Sequence, residues 1–70
     1  MKFNLNQAVD LLGKRYEIEA LSILGKETFE GEVIGFTMLK NNDFEFILDL
    51  QSGLEVYAES EIISMTICFP

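Results

Sequence analysis

Carboxylates are the side chains of this chain best supplied for chemistry. They recur at short intervals: Glu17 and Glu19, Glu30 and Glu32, Glu45 and Asp49, Glu55 and Glu59. Paired carboxylates can pass a proton between roles or hold a hard cation. Yet the members of each pair lie two or four residues apart, and alternate residues of a strand share one face. The spacing therefore reads first as a solvated strand face. Calcium loops alternate Asp and Asn and close on a Glu; Asn41-Asn42-Asp43-Phe44-Glu45 is too short and irregular for one. The chain has no His, so the commonest general base and metal ligand is missing. Cys68 is the only cysteine. It has no His or base near it to make it a nucleophile, and zinc needs several Cys or His ligands. Gly31, Gly35 and Gly53 lack phosphate-loop spacing. Tyr16, Tyr57 and the six Phe could stack on bases, but no basic groove accompanies them. The residues thus point away from an enzyme, a metal protein or a cofactor carrier, and away from a small-molecule substrate.

What remains is an acidic surface. Twelve acids face five bases, for a net charge of -7. Such a surface repels nucleic acid and anionic lipid and attracts basic partners. Seventy residues make one domain, 1–70. A domain this small buries only about 60% of its unfolded surface, so some of its 49% hydrophobic residues must stay outside. An oligomer or partner interface is their natural home. A single cysteine forbids an intrachain disulfide and fits a reducing compartment. The start, Met1-Lys2-Phe3-Asn4-Leu5-Asn6, lacks the apolar run of a signal peptide, and no segment approaches the ~20 apolar residues of a membrane span. The reading is a complete, cytoplasmic chain.

The elements that carry these residues are legible in the pattern. Asn4 and Gln7 form a capping-box pair. Leu5, Ala8, Val9 and Leu12 follow at helical spacing, and Gly13 is a C′ glycine. This predicts a helix over 5–12 that docks through Leu5, Val9 and Leu12. Strands are predicted over 15–24, 28–39, 44–50, 54–58 and 62–68, with turns at Gly25-Lys26 and Lys40-Asn41-Asn42-Asp43 and a corner at Glu59-Ser60-Glu61. Phe44, Phe46, Leu48 and Leu50 share a face; Leu54, Val56 and Ala58 repeat it after Gln51-Ser52-Gly53. Ile63, Met65 and Ile67 share a phase of the last strand. Gly31 and Gly35 mark a bend in the long second strand. A short helix followed by five strands, the second bent, predicts a mainly β fold: a small five-stranded, strongly bent antiparallel barrel behind one short N-terminal α-helix.

One feature goes beyond a solvated face. If Phe29, Val33 and Leu39 face inward, then Ile34, Phe36 and Met38 lie outward, beside Ile47 of the third strand. These make an apolar patch ringed by Glu32, Glu45 and Asp49, with Glu55 adding a further acid on the fourth strand. An apolar centre with a charged rim has the anatomy of a protein interface.

This layout resembles the Sm-like and SH3-like small barrels. Thr28-Phe29-Glu30-Gly31-Glu32-Val33-Ile34-Gly35-Phe36 is similar to the second strand of Sm-like proteins, and Ile62-Ile63-Ser64-Met65 resembles their last. The Sm-like RNA pocket uses Asp and Asn in one loop and an Arg- or Lys-Gly pair in the last hairpin. Here Asn41, Asn42 and Asp43 share a loop, but Gln51-Ser52-Gly53 carries no base. The nearer likeness is to the acidic Rof-type inhibitors of the Rho termination factor, which also combine a leading helix, a small barrel and an acidic surface. That resemblance implies a non-catalytic regulator or inhibitor that binds the basic surface of a nucleic-acid-binding protein and not nucleic acid itself. The alternative it implies is an Sm-like homo-oligomer that binds RNA.

Overall fold

A computed structural model describes residues 1–68; the last two residues of the predicted domain, Phe69 and Pro70, lie outside the described residues. The elements are α1 (Leu5–Leu11), β1 (Arg15–Ser22), β2 (Gly25–Met38), β3 (Phe44–Leu50), β4 (Gly53–Ala58), a 3₁₀ turn (Glu59–Glu61) and β5 (Ile62–Ile67). All five strands run antiparallel in one sheet of order β4-β3-β2-β1-β5. The fold is mainly β, as the pattern implies. Among the described residues the sheet curls into a barrel-like shape with no β4–β5 ladder. Curling brings the first half of β2 over β4, where the Phe29 and Tyr57 rings lie 5.1 Å apart.

The helix begins where its cap dictates. Asn4 Oδ1 accepts from the Gln7 N–H and Gln7 Oε1 accepts from the Asn4 N–H, both at 2.9 Å. Gly13 leaves it at φ 77°, a conformation that favours glycine. Its docking face differs from the predicted one. Ala8 is buried and Leu11 half-buried, whereas Leu5, Val9 and Leu12 face solvent. Phe3, just ahead of the helix, takes the core place instead, with its ring edge-on to Phe46 at 5.1 Å.

The first turn also moves. Strand β1 stops at Ser22 and β2 starts at Gly25, not 28, so the loop is Ile23-Leu24. Ser22 Oγ staples it, accepting from the Leu24 N–H at 3.2 Å and donating to the Gly25 carbonyl at 3.0 Å.

Inner side chains of all strands meet in one core. Tyr16, Ile18 and Ala20 of β1, Val33 of β2, Phe44, Phe46 and Leu48 of β3 and Ile62 are buried. Gly31 lies close against β3: a Cβ there would meet Leu50 Cδ2 and come within 3.3 Å of the Asp49 carbonyl oxygen, so a larger residue requires the Leu50 side chain to shift. Three register details correct the predicted faces. On β2, Ile34 and Gly35 together oppose Ile47, because the register shifts between Val33 and Gly35. This bulge turns Phe36 and Met38 to the inner face, opposite Phe46 and Phe44. On β4, the hairpin pairs Leu50 with Gly53, so its loop is Gln51-Ser52 alone. A three-residue loop would set Leu54 beside Leu50; the two-residue loop slips the register by one and puts Leu54 and Val56 on the outer face. On β5, the shift between Glu19 and Ala20 leaves Ile63 as the unpaired residue, while Ile62, Met65 and Ile67 pair with inner positions of β1.

Candidate protein-binding face

The outer face of β1-β2-β3-β4 is ordered in rows across the strands. One row is Glu17 and Glu30; the next is Arg15, Glu32, Asp49 and Leu54. Then come Ile34 with Gly35, Ile47 and Val56, and last Thr37, Glu45 and Ala58. The apolar row thus lies between two acidic ones. Ile47 leans over Gly35, whose missing side chain would sit 3.4 Å from Ile47 Cδ1. Ile34, Leu54 and Val56 are exposed.

Glu17 stands directly opposite Glu30, and Glu32 opposite Asp49. Like charges directly opposite each other destabilise a sheet. One base relieves them in part: Arg15 Nε lies 3.1 Å from Glu30 Oε1. The fold therefore holds two unfavourable pairs on one surface.

Seven of the eight predicted interface residues keep an outer or exposed position, but only five share the face. Ile34, Ile47, Glu32, Glu45 and Asp49 are brought together as expected. Phe36 is not among them; it packs on Phe44 at 5.6 Å and Phe46 at 6.3 Å. Met38 shares its inner phase and is exposed at the barrel end. Glu55 is exposed and lies on the opposite face of β4, paired with Leu48. Leu54 and Val56, assigned to the core by the alternation, replace Phe36 and Met38 in the patch. The hairpin tip Ile23-Leu24 is also fully exposed.

The acid that matters inside the molecule is Glu59. Its place in the Glu55–Glu59 alternation predicts a solvated side chain, yet only 2% of it is exposed. Its Oε2 accepts from the Phe3 N–H at 2.9 Å, and its Oε1 from the Phe44 N–H at 3.1 Å and from Lys2 Nζ at 3.2 Å. One carboxylate thereby ties the N-terminal segment, the start of β3 and the 3₁₀ turn together. The partners are far away in sequence, so no local signal marks it. Lys2 also bonds Asp43 Oδ1 at 2.8 Å. That bond holds the Asp43 carboxyl below its usual range and, with Glu59, the Lys2 ammonium above its own. Asp43, the loop acid that matches the Sm-like pattern, is thus already engaged.

Tyr57 shows how acidic the other face of β4 is. Its hydroxyl donates to Glu27 Oε1 at 3.0 Å. Burial, then that hydrogen bond, then the charges of Glu27, Glu55 and Glu61 push its pKa up to about 12. The folded value lies above the unfolded one of about 10. The stabilisation is therefore complete below pH ~10 and disappears as pH rises from ~10 towards ~12. In a titration of tyrosinate absorbance, Tyr57→Phe should remove the highest step. A lone step near pH 10 in the native chain would refute this.

An open cleft of about 560 Å³ is lined by Arg15, Phe29, Glu30, Leu50, Gln51 and Ser52. Within it Arg15 Nε is paired to Glu30 Oε1. Among the described residues no group of three His, Cys, Asp or Glu could hold a metal ion, and no helix is long and apolar enough to cross a membrane. Compared with protein-family models, curated proteins and solved structures, the chain matches none.

Proposed function

We propose that this chain is a non-catalytic, acidic protein-interaction module, a regulator or inhibitor that binds the basic surface of a nucleic-acid-binding protein in the cytoplasm. The observation that carries the reading is the two pairs of opposed acids, Glu17–Glu30 and Glu32–Asp49, side by side next to the apolar row. A surface that weakens its own sheet is typical of a site shaped by something other than stability. A basic partner would neutralise the acids, and Ile34, Ile47, Leu54 and Val56 would supply the desolvated centre. The charges would govern the on-rate and the apolar contacts the residence time.

Asp49→Lys tests this as a trade-off. It replaces a repulsive cross-strand pair by an attractive one, so the melting temperature should rise by a few degrees, for a gain of about 0.5–1 kcal/mol. The same change should weaken capture of basic nucleic-acid-binding proteins from cytoplasm, and excess RNA should compete with the wild-type capture. Capture that survives Asp49→Lys and ignores RNA would overturn the reading. Generic RNA should not bind the chain itself at physiological salt, since a net charge of -7 offers no counterion release. Salt-sensitive RNA binding would favour the second reading, an Sm-like oligomer. That reading draws on the two free edges, β4 and β5, through which copies could join head to tail.

A further inference from the structure

Among the described residues, strand β4 is a sheet edge, paired with β3 on one side only. The Ala58 N–H reveals which backbone groups face outward. It donates to Glu61 Oε1 at 2.9 Å, away from β3. The β3–β4 register runs without a shift from Leu50–Gly53 to Glu45–Ala58. Leu54 and Val56 share the parity of Ala58, so their N–H and C=O groups also face outward. Among the described residues, no turn or loop backbone–backbone hydrogen bond engages residues 53–57.

Natural edges are guarded by charged side chains, Lys above all, by inward-pointing charges, Pro, bulges or a covering loop. The sequence of β4, Gly-Leu-Glu-Val-Tyr-Ala, has no Lys or Pro, and its ladder has no bulge. Its one charge, Glu55, admits a base and repels an acid. The two faces of the strand also differ. Leu54 and Val56, 64% and 57% exposed, stand on the outer face. On the other face Glu55 sits two residues from Tyr57, whose hydroxyl donates to Glu27 Oε1 at 3.0 Å.

We propose that β4 accepts, by antiparallel strand addition, an extended segment of a basic partner in which apolar residues alternate with Arg or Lys. Residues opposite Leu54 and Val56 would exchange both backbone hydrogen bonds with them and extend the outer apolar row. Residues opposite Glu55 and Tyr57 would fall on the acidic face, so they need to be basic. A second copy of this chain fits poorly, because it brings twelve acids and five bases to the same edge. The proposal rests on the reading of a basic protein partner and names how that partner is held.

Short synthetic peptides test it by calorimetric titration against the whole chain. A peptide alternating Val and Arg should bind. The same composition in two blocks should bind at least about tenfold more weakly. N-methylation of the Val amides, which would face β4, should cost tenfold or more, since the outward carbonyls of β4 lose their donors. N-methylation of the Arg amides, which would face solvent, should change little. Amide exchange at Leu54 and Val56 should slow on binding, and Glu55→Lys should weaken it severalfold. Binding indifferent to Val N-methylation would overturn strand addition while leaving the basic-partner reading intact. No binding of any of these peptides would overturn strand addition too, and the capture experiment above would then decide the broader reading alone. Sedimentation of the free chain as a dimer that dissociates on Leu54→Asp would show that a second copy occupies the edge, and would also overturn it.

Discussion

Glu59→Ala should unfold the domain or bring it close to unfolding. The substitution orphans the buried N–H groups of Phe3 and Phe44, which now donate to the carboxylate at 2.9 and 3.1 Å. Leaving a buried donor unpaired costs about 1–3 kcal/mol, more when the lost acceptor is charged. The emptied volume adds a cavity term. The sum, roughly 3–6 kcal/mol, is comparable with the whole stability of a chain this short, about 4–10 kcal/mol. Glu59→Gln should fall between. Its amide oxygen can still accept, but the amide nitrogen would face one of the N–H groups. Thermal melts followed by circular dichroism rank the three chains. An alanine variant melting within a few degrees of wild type would show that the three tied segments hold together without the carboxylate.

The contrast between Glu59 and its neighbours shows how far the sequence reaches. Elements whose causes are local were legible. The helix starts at the Asn4–Gln7 box, β3 spans the predicted 44–50, and the Glu59–Glu61 corner falls where it was read. Features set by a partner strand were not. Alternation in Leu54, Val56 and Ala58 is clear, yet which face it occupies depends on whether the hairpin loop has two residues or three. Glycine at 35 marks a disturbance in β2, but not that the bulge flips every later side chain of the strand. The same holds for α1: its solvent-facing Leu5, Val9 and Leu12 stripe is the stronger periodic signal, and Phe3 displaced it from the core.

The candidate face was therefore half legible. Its acids and Ile47 were visible, because β3 has a regular alternation and buries Phe44, Phe46 and Leu48. Its second strand was misassigned at Phe36 and Met38, and its fourth was missed. The opposed pairs Glu17–Glu30 and Glu32–Asp49 are invisible without the register, although each acid reads as solvent-facing on its own.

A pair of substitutions separates the two faces with opposite outcomes. Phe36→Asp places a carboxylate against the Phe44 and Phe46 rings, 5.6 and 6.3 Å from the centre of the present ring. Losing a large aromatic side chain from a core edge costs about 3 kcal/mol, and a charge without a partner there adds more. The expected result is loss of the folded circular dichroism spectrum near ambient temperature. Val56→Asp puts the same charge on an exposed outer-face residue. It should shift stability by no more than about 0.5–1 kcal/mol, because the side chain has water available. Its effect should instead fall on association. A carboxylate in the desolvated centre of the contact would weaken binding of a basic partner by at least about tenfold. If Phe36→Asp folds normally and loses the partner while Val56→Asp keeps it, the faces are exchanged and the bulge at Ile34-Gly35 does not turn β2. If both fold and both bind, the apolar row has no part in recognition, and the acids alone must carry whatever this surface does.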